Sequence, residues 1–379
     1  MITRSSFFKS EEMAAAFEVA SAFAQWALSH NLLPRLPAHM EAEYIADVAP
    51  VQVSELAEQI LRRRAISSIV FNDDTATVYV YTEKRVTQKE LEDLPRLLHG
   101  CDVLYPHGWT DVLVPPVNQA QGATYTLVQS NAGQMYYACG SSISPGNEAS
   151  AGTLGAIVTD AQGVFYGLTN NHVTGGCNHS GVGLPILAPG VVDVAPGGQA
   201  PFTIGYHERV LPYVLGTSGN VDISANTDAA IFRLQHAGLV SSQQGIQYDT
   251  PTNVVAPIEG MKVAKVGRTT GYTEGTIVGR ELRPVRVKAG SSTNGFEAFI
   301  WFPSVFVIHG ETHEFSAGGD SGSLVVSLNE DGTKSAVGLV FCGGPDSLAP
   351  GNMKSMIVPL APILQRLNVT LVGGHNVTP

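Results

Sequence analysis

The stretch Gly318-Gly319-Asp320-Ser321-Gly322-Ser323-Leu324-Val325-Val326 sets a serine in a glycine-rich turn directly before an apolar run. Serine is a weak nucleophile unless a neighbouring base takes its proton. Glycines let the backbone bend so that amide N–H groups converge, and converging amides stabilise a tetrahedral oxyanion. Taken alone, the stretch also reads as an ordinary turn, so a catalytic reading needs partners elsewhere in the chain.

Two further stretches supply candidates. In Leu168-Thr169-Asn170-Asn171-His172-Val173 a histidine closes an apolar run, where a neutral imidazole suits a general base. In Asn226-Thr227-Asp228-Ala229-Ala230-Ile231-Phe232 an aspartate precedes an apolar run. Burial there calls for a strong partner, and a histidine N–H is one. Each stretch has a plainer reading, a structural strand-end histidine and a turn aspartate. Their joint occurrence, in the order His172, Asp228, Ser321, is the stronger signal. The α/β-hydrolase order is Ser, acid, His. That scaffold fits poorly, because the one histidine after Ser321 is His375 and residue 323 is Ser rather than Gly.

Bulk composition agrees with a large, mostly β chain. The 379 residues suggest two or three domains. Hydrophobic residues are 44% and charged residues 15%, so a sizeable core can be buried. The 40 glycines and 22 prolines point to frequent turns between short strands. A net charge of −11 argues against a sequence-independent surface for nucleic acid or anionic membrane. The longest basic run, Arg62-Arg63-Arg64, ends an expected helix, where cations suit the negative end of the dipole. Cys101, Cys139, Cys177 and Cys342 form no C-x-x-C pair, which speaks against zinc. Their even number permits two disulfides, and free thiols fit as well.

Residues 13–28 are apolar, but Glu11 and Glu12 precede them and Glu18 interrupts them. Met13, Phe17, Ala20, Ala24 and Leu28 recur at helical spacing, so an amphipathic helix is expected rather than an export signal. No run reaches the length of a membrane span. The cytoplasm is the expected location. Helical patterns fall at 11–29, 53–64 and 88–98, strand patterns at 67–71, 75–82 and 101–105, with Asn72-Asp73-Asp74 as a turn. Pro115-Pro116 through Gly122 reads as a linker. From about residue 124 short β-rich runs dominate. Among them are 155–159, 164–168, 228–232, 275–278, 323–327 and 336–341. Residues 359–367 suggest a closing helix, and the tail from Gly373 is expected to fray.

Asn171-His172-Val173, Asp228-Ala229-Ala230 and Gly319-Asp320-Ser321-Gly322 resemble the triad motifs of the trypsin/chymotrypsin superfamily. Lys265-Val266-Gly267-Arg268-Thr269-Thr270-Gly271-Tyr272, followed by Gly275-Thr276-Ile277, resembles a segment of small bacterial members such as streptogrisins. With Gly152-Thr153-Leu154-Gly155 and the α/β segment before the β-rich region, the chain is most similar to trypsin-like peptidases related to the plant Narrow Leaf proteins and their bacterial relatives. The resemblance covers most of residues 140–345.

It implies a mainly β fold, a chymotrypsin-like double β-barrel preceded by a small α/β N-terminal domain. The expected division is 1–120 for the module and linker, 121–240 for the first barrel with His172 and Asp228, and 241–379 for the second barrel with Ser321. The amides of Gly319 and Ser321 would form the oxyanion hole. The pocket floor would be Phe315, six residues before the nucleophile, with one wall in 338–344 including Gly338 and Phe341. A floor without aspartate speaks against strict Lys or Arg specificity. Secreted relatives often carry a disulfide near the histidine, for which Cys139 is the plausible partner of Cys177, but the expected cytoplasmic location favours a thiol at Cys177. They also pair Asp320 with a freshly cut N-terminus. With no activation site visible, Asp320 is expected to brace its own turn.

The function so implied is serine endopeptidase through an acyl-enzyme, with a protein or peptide substrate and no cofactor or metal. The N-terminal module is the expected place for a homo-oligomer contact or regulatory partner. Two other readings stand beside it: a protease-fold binding module with little turnover, and a removable pro-segment in 1–120. His179, His207, His309 and His313 are rival bases and Asp222 a rival acid, each more simply a loop or strand residue. Gly267 to Gly271 lacks the Lys-Ser/Thr of a phosphate loop and reads as a β-turn.

Overall fold

The computed structural model describes residues 15–36, 38–110, 124–195, 197–215 and 222–377. The expected linker at 115–122 lies outside them. The chain divides into two compact units. One takes the chain up to Trp109 together with Gly279–Arg283; the other takes Thr110–Val278 and Pro284–Pro379.

In the first unit the alanine-rich helix Ala16–Ser29 buries Val19, Ala20, Phe23, Ala24 and Trp26. The start expected at residue 11 lies outside the described residues. Helix Glu55–Arg64 begins at Ser54, whose hydroxyl accepts the Ala57 N–H, and ends in the three arginines. Strands Ile66–Asn72 and Thr77–Thr82 pair antiparallel. Cys101–Leu104 joins the latter in parallel. Arg280 and Glu281 pair with Phe71 and Val70 on the other side. The turn between the first two strands is held by Asn72 Oδ1, which accepts the Thr75 N–H at 2.9 Å.

One expectation fails in this unit. The helix anticipated over 88–98 shrinks to Gln88–Leu91. Pro95 disfavours helical geometry at the residue before it, and Leu97–Leu98 goes instead into a short strand beside Cys101–Leu104. Glu90 still closes a capping box with Thr87 and also receives the fork of Arg64, which holds its carboxyl at a pKa of about 2. The short helix Ala38–Tyr44 had no sequence signal read for it.

The second unit has two β halves. In the first half one sheet runs Thr370–Leu371, Ala156–Thr159, Phe165–Thr169, Ala230–Leu234, Phe202–Val210, Pro185–Ala188, Ser142–Pro145, Gly152–Thr153. A second sheet runs Tyr248–Asp249, Val240–Gln244, Met135–Cys139, Leu127–Gln129. Tyr137, Ile143, Leu154, Ile157, Ile186 and Phe232 fill the core of this half. In the second half Lys262–Gly267, Leu324–Leu328, Lys334–Pro345, Met353–Pro359, Phe306–Gly310 and Gly271–Glu281 pair in that order, and the last pairs back with the first. Closure leaves this barrel without an open edge. Val263, Ile277, Ile308, Val325, Val340 and Ile357 meet in its interior. The fold is therefore mainly β, a chymotrypsin-like double barrel with a small α/β part before it.

The closing helix is Leu360–Leu367. It returns the chain to the first half, where Thr370–Leu371 pairs with Ala156–Thr159. The tail is not frayed at Gly373. Gly374 N–H donates to Asp249 at 2.6 Å, and the His375 backbone exchanges hydrogen bonds with Ser242. Polar partners on a distant strand, invisible in the local sequence, order these residues as far as 377. Among the described residues no helix is long and apolar enough to cross a membrane.

Candidate active site

The site begins with a strand register. Strands Phe165–Thr169 and Ala230–Leu234 run antiparallel with Thr169 opposite Ala230. Continuing each chain past that pair brings His172, in the single helical turn Asn171–Thr174, beside Asp228. His172 Nδ1 lies 2.5 Å from Asp228 Oδ2. The His172 backbone N–H donates to Asp228 Oδ1 at 3.2 Å. Asn170 Nδ2 donates to the Asp228 carbonyl at 2.7 Å and fixes the backbone there.

Asp228 is wholly buried, so its charge depends on these donors. A further donor comes from a residue that the motifs did not point to. Tyr213 gives its hydroxyl to Asp228 Oδ1 at 2.5 Å. Burial first, and the nearby Asp228 charge next, push the Tyr213 phenol well above its ordinary pKa, so it stays a donor. Its ring meets Phe302 edge-on at 5.7 Å, and Phe302 in turn packs on Phe341 at 4.9 Å. Tyr213→Phe keeps that ring contact and removes only the hydroxyl. The expected loss is about 1.5–3 kcal/mol of unfolding free energy, the usual worth of a hydrogen bond to a charged group. Urea unfolding followed by circular dichroism measures it, and an unchanged midpoint would contradict this account of Asp228.

Phe302 belongs to a two-stranded hairpin, Val285–Ser291 with Phe296–Phe302. The hairpin reaches each segment that carries the pair. Trp301 O accepts from Asn226 Nδ2 at 3.0 Å, Gly290 O accepts from the Cys177 thiol at 3.7 Å, and the Phe296 and His179 rings meet at a tilt, 4.5 Å apart.

Ser321 sits in the turn before strand Leu324–Leu328 of the closed barrel, partly exposed. Gly319 and Gly322 have φ of +98° and +92°, a region that other residues seldom adopt. The turn is bound to the first half. Thr153 N–H donates to Ser321 O at 2.9 Å, and Thr153 Oγ1 donates to Gly319 O at 2.9 Å. Gly155 approaches so closely that a Cβ on it would lie 2.1 Å from Gly322 O. Thr169, at the end of the strand leading to His172, donates to Thr153 O at 2.8 Å. The serine turn is thus tied to the strand that presents the histidine. Among the described residues, neither the Gly319 nor the Ser321 N–H has a protein acceptor.

Asp320 braces this turn, and it reaches further than its neighbours. It accepts from Ala317 N at 3.0 Å, Thr269 N at 2.7 Å and Thr270 Oγ1 at 2.7 Å. Lys265 Nζ lies 3.5 Å from it, both side chains being fully buried. Burial pushes the Lys265 amine down, and the Asp320 charge pulls it back up. The Gly267–Gly271 run is a hairpin turn between two barrel strands, as its sequence suggests.

The other expected residues are placed as follows. Phe315 is wholly buried inside the closed barrel, with its carbonyl held by Thr273 Oγ1 at 2.7 Å. Gly338 pairs with Val325 and Pro359 in that barrel, and Phe341 is fully buried. Of the rival bases, His309 has its own buried acid, Asp346, at 2.7 Å. His207 is buried, which lowers its pKa. Asp222 caps the Ser224 N–H. None of the four cysteines is in a disulfide: Cys139 donates to Ser241 O and Cys177 to Gly290 O. Burial, with Asp228 and Glu148 nearby, raises the Cys177 thiol to about 12. Among the described residues no three His, Cys, Asp or Glu are grouped to hold a metal ion.

A closed six-stranded barrel and a second β half, one bearing the serine turn and the other the His–Asp pair, make this a protein of the chymotrypsin-like double-barrel class. The chain is 25% identical to Protein NARROW LEAF 1 of Oryza sativa subsp. japonica, over 91% of this chain and 64% of that protein. It thus spans less than two thirds of this relative's length. A family model, the Nal1 C-terminal domain, matches residues 222–357. Similar solved structures include Nocardiopsis protease, at 20% identity over 62% of this chain and 97% of that one, with a TM-score of 0.39. Thermobifida fusca protease A matches at 19% identity over 62% and 100%, with a TM-score of 0.40. The resemblance carried by the motifs is met: the chain is similar to Narrow Leaf 1 over most of its own length.

Proposed function

We propose that the chain is a serine endopeptidase with His172, Asp228 and Ser321 as its triad. The observation that carries this reading is the 2.5 Å contact between His172 Nδ1 and the buried Asp228 carboxylate, in a half whose strand is bound to the Ser321 turn. With Nδ1–H committed to Asp228, His172 Nε2 is left as the basic nitrogen. Nε2 takes the Ser321 Oγ proton as the oxygen attacks a peptide carbonyl. The C–O bond forms, the carbonyl oxygen becomes an oxyanion, and the Gly319 and Ser321 amides receive it. Nε2 then gives its proton to the leaving amine as the C–N bond breaks. A water molecule, deprotonated by the same nitrogen, releases the acyl group and regenerates Ser321.

The substrate is a protein or peptide. Position 315 holds no aspartate, which argues against a strict preference for Lys or Arg. The test is labelling of the full chain by a fluorophosphonate, which reacts with an activated serine. Native protein should label, and Ser321→Ala should lose all labelling while keeping its thermal transition. A native chain that folds but does not label would point instead to a protease-fold binding module. Undiminished labelling of Ser321→Ala would defeat the assignment of the nucleophile.

A further inference from the structure

The Gly318–Gly319 peptide is held from behind by three linked groups. Thr269 Oγ1 donates to Gly318 O at 2.7 Å. Arg268 Nη1 in turn donates to Thr269 Oγ1 at 3.1 Å. The Arg268 guanidinium is itself gripped in bidentate fashion by Asp193, with Nε to Oδ2 at 2.7 Å and Nη2 to Oδ1. Both charged side chains are fully buried. Arg268 directly follows the closed-barrel strand Lys262–Gly267, and Asp193 lies in the first half, in the short turn Val191–Asp193. Asp193 also accepts from Ser142 Oγ at 2.5 Å, which anchors it to a strand.

The orientation of one peptide follows from this arrangement. A trans peptide points its C=O and its N–H in opposite directions. Holding Gly318 O toward Thr269 therefore turns the Gly319 N–H away from Thr269. That N–H has no protein acceptor among the described residues. Glycine on both sides of the bond makes rotation of this peptide easy, since neither neighbour has a Cβ to resist it. Without an outside hold, the peptide can turn over and present its carbonyl where the amide should stand.

We infer that Thr269 and Arg268 are positioning residues that lock the Gly318–Gly319 peptide with its N–H free to receive the oxyanion, and that Asp193 anchors the lock from the other half. The inference rests on the serine-peptidase reading and goes beyond it, because none of the three residues touches the reacting atoms. The lock explains a costly feature. A fully buried Arg–Asp pair rarely adds stability over apolar packing, but it fixes direction through its two-pronged geometry.

The experiment compares rates of fluorophosphonate labelling for native chain, Thr269→Val, Thr269→Ala and Thr269→Ser. Phosphonylation builds negative charge on an oxygen that needs the same amides. Valine has the shape of threonine without the hydroxyl, and Thr269 is partly exposed, so folding should survive. Labelling by Thr269→Val and Thr269→Ala should slow by at least about tenfold, part of the loss that removing one oxyanion donor brings. Thr269→Ser should stay within about threefold of native by the same measure of donor loss. The pH midpoint of labelling should not move in any variant, since His172 and Asp228 are untouched. Thr269→Val or Thr269→Ala labelling as fast as native overturns the lock, as does Thr269→Ser labelling as slowly as Thr269→Val. If native chain does not label at all, the peptidase reading itself has failed, which is a different result.

Discussion

Asp228→Asn is expected to slow acylation of Ser321 by about ten thousandfold, the scale on which loss of a triad carboxylate acts. The reason lies in which atom must accept which proton. Asp228 Oδ1 takes the Tyr213 hydroxyl and the His172 backbone N–H, so an asparagine oxygen settles there. The amide NH2 then faces His172 Nδ1, where Oδ2 stood at 2.5 Å. Two donors cannot share that contact, so Nδ1 must give up its hydrogen and Nε2 must carry it. A protonated, neutral Nε2 cannot take the serine proton. Side-chain volume is conserved, so the variant should fold. Stopped-flow labelling with a fluorophosphonate, together with a thermal scan, separates the two effects. A folded variant within about tenfold of the native rate would be incompatible with the role given to Asp228.

The largest expected loss of stability comes from Asp193→Ala, at about 3–5 kcal/mol. The substitution leaves a fully buried guanidinium without its bidentate carboxylate, and an uncompensated buried charge is far costlier than the pair is favourable. It also frees the Ser142 hydroxyl that Asp193 receives. Urea unfolding of the full chain measures the change. Replacing both members, Asp193→Leu with Arg268→Met, should recover much of the loss, because apolar packing of similar volume substitutes well for a buried ion pair. A single-variant loss under about 1 kcal/mol would show that the pair is not desolvated as described. The double variant also separates stability from the oxyanion lock: it should fold well and still label slowly.

How much of this was legible beforehand depends on the range over which each cause acts. The strand runs, the turn at Asn72-Asp73-Asp74 and the closing helix Leu360–Leu367 follow from periodicity and turn chemistry within a dozen residues. So does the brace that Asp320 gives its own turn through Ala317 N. The helix expected over 88–98 stops at Leu91, because Pro95 disfavours helical geometry before it whatever the apolar spacing. The tail expected to fray is ordered by Asp249 and Ser242, more than a hundred residues away. Tyr213 stands in a plain Leu-Pro-Tyr-Val stretch with no pattern to mark it. Arg268 lay inside a quoted motif, but its partner Asp193 follows an unremarkable Gly-Val-Val.

From the linear chain alone came the residue types able to do acyl transfer, their order, the mainly β class of the fold and the glycines that let the Ser321 turn form. Those are local matters, decided by backbone freedom and by the alternation of apolar side chains. Only the folded chain decided that Tyr213 donates to Asp228, that Thr153 ties the serine turn to the histidine strand and that Asp193 grips Arg268. Such pairings are set by strand register and barrel closure, which depend on all the strands at once and are written in no single stretch.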